Sequence, residues 1–499
     1  MIEIGDRLFV DGHTCSVLFI GYIPAWKDSR AFGLEWDEPK RGKHSGYLNG
    51  VEYFKTRIPN AGSFVKESKL LYAIQSRKSF VEAVNNVYLR GLENREDVFF
   101  GFKKVELFGL NVLASKNQDL ENLKYLDLSA KLIASSGETK DLLALNFRFK
   151  SLTQLNLSSN LFKDFSEVSR VLSGIPHLRS LDISNNRFEV YSNAADAEQV
   201  QSLEELRANF CQLSTEGIAN LLSYFPNLKR LELSGNCARE LDSISFPASL
   251  SELSLAENCL STMPLNIFEA SVVRLNVSSN KIYSLLGGVF PKIEALDLSY
   301  CCIDRWDSID EICTNFPNMK DFRINGNPLT MDESDDNVFL QLIGRNRNID
   351  RLNGSFLTEK VRYDAEIYFM AQVSTQNATI NKAGRQWNYL LQKHGPVSRG
   401  GGSIGSGTIF EILTVDLEFE GYKVRELSML PSYSIRFLKT TISRTLSIPA
   451  SEFNLYYVLE GGTQQEFSFE FSPISMFNIK SGDRICVDLK NAKRRSSAS

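Results

Sequence analysis

Lys43 and His44 lie in the pentapeptide Gly42-Lys43-His44-Ser45-Gly46 and are the side chains best suited to meet a charged ligand. A lysine ammonium attracts a carboxylate, and an imidazole can hydrogen-bond one, although a plain turn role for His44 stays open. No nucleophile is sensibly placed beside any of the four histidines, so the chemistry is recognition rather than reaction. Glycines and lone aromatics continue from Gly33 to Val65, a stretch too turn-rich for helix. Glycine permits tight turns and close approach, so a partner can lie directly against the main chain. Trp36, Tyr53, Phe54 and Phe64 are candidates to wall an apolar slot with Lys43 at its mouth. Phe54 is more often core than wall, and Phe64, just after the Gly62-Ser63 turn, is the better candidate. Such a slot suits an extended peptide ending in an aromatic residue and a free carboxylate.

The segment resembles a CAP-Gly domain, whose signature is GKNDG followed by G-x-x-YF and G-x-FV. Gly42, Lys43, Gly46, Gly50, Tyr53, Phe54, Gly62, Phe64 and Val65 match, while His44 and Ser45 replace Asn and Asp. A tryptophan that many members carry would fall near Ala31, and Trp26, five residues earlier, fills part of that gap. The form with Glu35-Trp36-Asp37, then a proline, then GKH is similar to the tubulin-folding cofactor E family in particular. That resemblance implies a tail-binding set of Trp26, Phe32, Trp36, Gly42, Lys43, His44, Ser45, Gly46, Phe54 and Phe64.

With 499 residues, the chain is too long for a single core. A net charge of −4 argues against nucleic acid as the main partner. Residues 1–90 carry 13 Lys/Arg against 10 Asp/Glu, a local balance of +3 that favours an acidic ligand there. The N-terminal residues do not read as a signal peptide, and no apolar run approaches the ~20 residues of a membrane span. The eight cysteines are scattered, with no CxxC pair, so reduced thiols in a cytosolic compartment and no metal are expected.

The middle of the chain repeats the template L-x-x-L-x-L-x-x-N-x-L. Its first position falls at Phe102, Leu123, Leu152, Leu178, Leu203, Leu228, Leu250, Val272, Ile293 and Met319, at intervals of 21 to 29 residues. This is the spacing of leucine-rich repeats, each a short strand and a return segment that must stack to cover its apolar face. Asn160, Asn186, Asn236, Asn258, Asn280 and Asn327 take the asparagine position, where the side chain satisfies backbone groups leaving the strand. Cys211 and Cys301 take the same slot and read as structural. Ser214–Leu222 opens with a capping signal and reads as a helix, whereas the returns near Pro247 and Pro264 read as irregular or 3₁₀. Outward positions between the buried leucines include Asp127, Asp182, Glu232 and Asp297. They form either a solvated polar face or a docking surface for a folded partner.

Beyond a Gly/Ser-rich linker at 394–408, the pattern is a hairpin, a helix and further strands, which resembles a ubiquitin-like domain. The predicted architecture is multidomain: a small β-rich CAP-Gly domain (1–90), an α/β leucine-rich-repeat solenoid with a C-terminal cap (91–393), and an α+β ubiquitin-like β-grasp domain (409–490). A basic tail, 491–499, follows. The three-module order implies, by resemblance, a cytoplasmic, cytoskeleton-associated chaperone that is not an enzyme and needs no cofactor. It would capture α-tubulin and act with other tubulin-folding cofactors in assembling or dismantling the αβ heterodimer. The proteasome is a further candidate partner of the ubiquitin-like module, and neither membrane nor nucleic acid is expected. The alternative is an adaptor at the microtubule lattice or plus end, localised by CAP-Gly and scaffolded by the repeats.

Overall fold

A computed structural model describes residues 2–89, 99–100, 103–104, 119–189, 199–330, 335–395 and 413–490, apart from positions 27, 286, 375, 377, 430–432, 447, 459–461, 463, 468, 471 and 478. The chain divides into two compact units, Met1–Cys302 and Ile303–Ser499, so the division falls inside the repeat array. The first template match, at Phe102, and the tail at 491–499 lie outside the described residues, as does all but the start of the 394–408 linker.

The first unit opens with four antiparallel strands in sequential order: β1 (Arg7–Val10), β2 (His13–Gly21), β3 (Ala31–Trp36) and, after a small hairpin of β4 (Tyr47–Leu48) and β5 (Val51–Glu52), β6 (Gly62–Lys66). The helix α1 (Glu67–Gln75) packs on one face. Alternation along β3 sorts its side chains. Phe32, Leu34 and Trp36 join Leu8, Val10, Cys15 and Val17 in a core closed by Leu70 and Ala73 of α1. Gly33 and Glu35 point to the opposite face, which is also covered, so every residue of β3 is buried.

Residues Lys78–Ser79 do not continue this sheet but pair in parallel with Ile133–Ser135 of the repeats. The short helix Phe80–Val84 follows, opened by a capping box between Ser79 and Glu82. The Tyr88 hydroxyl accepts from the Asp127 backbone N–H at 3.0 Å. The segment 78–89, placed in the first module by the sequence, therefore covers the start of the array instead.

The repeats of this unit form a parallel ladder in which Leu126, Leu155, Leu181, Leu206, Leu231, Leu253, Leu275 and Leu296 pair in strict register. All eight are buried. The asparagine slot works as its chemistry demands. Asn160 accepts from the Lys131 and Ile133 N–H groups, both at 3.0 Å, and donates to the Leu128 and Leu157 carbonyls, both at 2.9 Å. Cys211 and Cys301 substitute as thiol donors, to the carbonyls of Ile183 (3.3 Å) and Val277 (3.4 Å). Burial pushes these thiols up to about 12 and about 11, far from the reactive thiolate. The helix at Thr215–Ser223 is capped by the Ser214 hydroxyl, and the return after Pro264 is the 3₁₀ turn Leu265–Glu269, both as read from the sequence.

In the second unit, Asp321–Arg323 pairs in parallel with Arg351–Leu352, which turns back on Ser355–Phe356. The helices Glu359–Ser374 and Arg385–His394 follow. His394, assigned to the linker from sequence, ends the second helix, and its buried ring contacts the Glu366 carboxylate at 2.6 Å. Beyond it, strands Leu413–Phe419, Tyr422–Met429, Phe453–Val458, Gln464–Glu466 and Arg484–Leu489 form one mixed sheet, with helix Ile435–Leu446. The first and last of these strands are parallel neighbours, which is the β-grasp arrangement.

Candidate peptide-binding groove

The pentapeptide loop is held by backbone bonds to the start of β6. The Lys43 and His44 N–H groups donate to the Gly62 carbonyl at 2.7 and 3.1 Å, and the Gly62 N–H donates back to His44 at 2.8 Å. Side chains would block this approach. A Cβ on Gly42 would lie 2.0 Å from the Asn60 carbonyl oxygen, and one on Gly46 would lie 1.7 Å from that of Phe54. The close approach expected at these glycines is thus made by the protein's own backbone. Gly33 plays a matching part on the sheet, where a Cβ would fall 2.3 Å from the Phe54 ring.

On the Gly33 face an aromatic cluster forms. The Phe64 ring meets Phe19, His44, Tyr53 and Phe54 at centroid separations of 6.1, 5.1, 5.5 and 5.3 Å. Phe54 is the buried floor, while Phe19, His44, Tyr53 and Phe64 are half-buried and Lys43 is exposed at the edge. Trp36, expected as a wall, and Phe32, expected in the tail-binding set, are not part of this surface. They lie in the core on the other side of β3, because residues two apart share a face and Gly33 claims the groove side. Trp26 stands apart from the cluster, with the Lys66 ammonium 5.5 Å from its ring. Ser45 turns inward, its hydroxyl accepting from the Asn60 N–H at 2.9 Å. Phe19 was missed by sequence reasoning. A bulge at Leu18 shifts the register between Val17 and Phe19 and so aims Phe19 at the Gly33 face. Such a bulge carries no clear sequence signal.

His44 has a defined protonation preference. Its Nδ1 accepts from the Gly46 N–H at 3.0 Å, so the neutral ring carries its proton on Nε2. Partial burial, with the Lys43 ammonium beside it, holds the imidazole below its ordinary value of 6.5. The contribution of the neutral ring to the loop is complete above that value and is lost as pH falls through the lower folded one. Acidification from pH 7 to pH 5 should therefore loosen the loop. His44→Asn, which keeps an acceptor for Gly46, should flatten the pH dependence of the N-terminal module's melting temperature.

The four outward repeat residues are engaged locally. Asp127, Asp182 and Asp297 each accept from the N–H two residues on, at 3.0, 2.9 and 2.9 Å, which closes the turn leaving each strand. Glu232 pairs across the ladder with Arg207 at 3.2 Å and accepts from Asn209 at 3.0 Å. Local satisfaction explains why acids and amides recur there. Among the described residues, no group of three or more His, Cys, Asp or Glu could hold a metal ion, and no helix is long and apolar enough to cross a membrane.

Comparison with known proteins agrees with this geometry. The CAP-Gly domain model matches residues 4–70, which spans β1 to the middle of α1. Protein PAC2 of Saccharomyces cerevisiae is 29% identical, with 97% of this chain and 96% of that protein covered. Tubulin-specific chaperone E of Bos taurus is 24% identical over 97% of this chain and 98% of its own length. The human protein of the same name is 23% identical over the same shares. The chain is similar over nearly its whole length to the tubulin-specific chaperone E proteins. A solution structure of the C-terminal ubiquitin-like domain of mouse tubulin-specific chaperone E aligns with 17% of this chain and 94% of that domain, at 23% identity and a TM-score of 0.16. The CAP-Gly match stops at residue 70, a few residues before Lys78 pairs with the repeats.

Proposed function

We propose that this protein is a tubulin-folding cofactor that captures α-tubulin and works with other such cofactors in making and dismantling the αβ heterodimer. The observation that carries the reading is the groove. Exposed Lys43 adjoins His44, whose ring meets that of Phe64 in the half-buried cluster with Phe19 and Tyr53, and this combination suits a peptide tip bearing an aromatic ring and carboxylates. Near full-length relatives named for tubulin support the choice of partner.

A short tail in this groove would bury well under ~1,000 Å², too little for tight capture alone. A second contact, from the repeats to the tubulin body, makes one of the two binding events intramolecular and raises the effective concentration into the mM range where the span fits. Two weak grips then compete with the dimer interface. Incubation with purified tubulin dimer, followed by size exclusion, should give a complex containing α-tubulin alone. Pelleting with polymer, with no effect on free dimer, would instead favour a lattice adaptor. Lys43→Ala should weaken capture of intact α-tubulin by about tenfold, the loss of one charge-assisted contact of ~1.5 kcal/mol, and should leave capture of tail-clipped α-tubulin unchanged. Equal losses for both would count against the tail contact.

A further inference from the structure

The face of β3 that carries the groove also carries a charge cluster. Glu35 and Asp37 lie two and four positions beyond Gly33, so the cluster begins about 7 Å along the strand from the groove floor. The guanidinium that meets these two carboxylates comes from the repeats. Arg187, one residue after the ladder asparagine Asn186, places its Nη2 2.9 Å from Asp37 and its Nη1 3.5 Å from Glu35. Arg7 of β1 binds Asp37 from the other side, at 2.7 Å through Nη1. Arg7, Glu35 and Arg187 are all buried, with Arg187 and Glu35 side chains only 5% and 2% exposed. Burial and the neighbouring Arg7 lower Arg187 to about 10, and Arg7 holds Asp37 at about 2, so this pair is charged at neutral pH.

The cluster also reaches the segment between β5 and β6. Glu35 accepts from the Arg57 backbone N–H at 2.6 Å, and the Arg57 side chain in turn pairs with Glu189 of the repeats. A third anchor stands nearby, where Lys163 meets Asp6 at 2.6 Å. The covalent link is short, and its Arg77 pairs with Asp6 of the N-terminal module at 2.9 Å. Only Ser76 and Arg77 separate the end of α1 from Lys78, which is paired to the array. A two-residue link by itself fixes position but not orientation. Ion pairs at residues 163, 187 and 189 stop the swing. The central one is also the most demanding, because a buried guanidinium leaves its carboxylates uncompensated wherever the fit is wrong. Apolar packing tolerates sliding; a charge cluster of this kind specifies one geometry.

We infer that Arg187 is a positioning residue that locks the CAP-Gly groove in one orientation on the repeat array, so that groove and repeats present a single template. The orientation stands on the geometry alone, whereas its consequence for capture rests on the tubulin reading proposed above.

The test uses the full chain with a spin label at Ser68→Cys on α1 and another at the native, exposed Cys237, after Cys302→Ser removes the other exposed thiol. The parent should give one narrow distance distribution, and Arg187→Met, similar in length but uncharged, a broad one. Affinity for an isolated acidic, tyrosine-ended tail peptide should change less than twofold. Capture of intact α-tubulin should fall about tenfold or more, as the second grip loses its effective concentration. An unchanged distribution in folded Arg187→Met overturns the inference. If that variant does not fold, Glu189→Ala, which removes only the partly exposed outer pair, should broaden the distribution, and no broadening there overturns it equally. A broadened distribution in a protein whose parent binds neither tail nor tubulin supports the locked orientation and rejects the tubulin reading.

Discussion

Gly46→Ala is expected to abolish binding of an acidic, aromatic-ended peptide while leaving the repeat array folded. The added Cβ would sit 1.7 Å from the Phe54 carbonyl oxygen, and a backbone atom cannot rotate out of the way. The residue also has φ +107, a region that side chains avoid at a cost of about 1–3 kcal/mol. To relieve the overlap the loop must lift from Phe54, which breaks the Gly46 N–H bond to His44 and the Tyr53 N–H bond to Gly46. Two lost hydrogen bonds at ~1 kcal/mol each bring the total to about 3 kcal/mol or more. His44, Tyr53 and Phe54 would then no longer bracket Phe64. Gly50→Ala is the matched control: its φ is +81, but nothing lies within 4 Å of the added atom, so strain alone of ~1 kcal/mol is expected. Peptide titration and melting of the N-terminal module separate the two, and peptide binding that survived Gly46→Ala would rule out this loop as the gate.

Asn160→Ala should destabilise the first unit by about 4 kcal/mol, because it strips partners from several buried backbone groups at ~1–3 kcal/mol apiece. The N–H groups of Lys131 and Ile133 and the carbonyls of Leu128 and Leu157 all lose a bond of 3.0 Å or shorter. Asn160 itself is fully buried. The chain supplies its own comparison, since Cys211 and Cys301 fill equivalent positions with a donor alone. Asn160→Cys should therefore cost clearly less than Asn160→Ala, as its thiol can still serve a carbonyl. Urea unfolding followed by circular dichroism measures both, and equal midpoints for the two variants would contradict this account.

The difference between the groove residues that were legible and those that were not lies in alternation and register. Lys43, His44 and Phe64 come from one continuous stretch whose glycines announce close backbone approach. Trp36 and Phe32 are just as aromatic and just as near in sequence. Their assignment to the groove failed because Gly33 and Glu35 occupy the groove side of β3, which sends their neighbours into the core. A period-two reading of Ala31-Phe32-Gly33-Leu34-Glu35-Trp36 contains that information, but only once the strand's bounds are known. Phe19 depends on a bulge, a feature of strand pairing between distant segments that no local residue pattern marks. The acids at 127, 182 and 297 teach a related lesson. A polar row on an exposed sheet face invites a binding role, yet each carboxylate closes its own turn.

The repeated leucines and asparagines determined the ladder by themselves, because each repeat has the same two needs: an apolar face to cover and a set of turn amides to satisfy. Strand and helix order likewise determined the β-grasp module, and the glycine-spaced motif determined the CAP-Gly loop. These are local periodicities, and local chain geometry suffices to express them. The seat of the CAP-Gly module on the repeats was decided only in three dimensions. Arg7, Glu35, Asp37 and Arg187 stand up to 180 positions apart in sequence (187 − 7) and look like ordinary surface charges until folding brings them together and takes Arg7, Glu35 and Arg187 away from water. Burial makes each of them costly unless the others are present, and burial is a property of the assembled fold rather than of any segment.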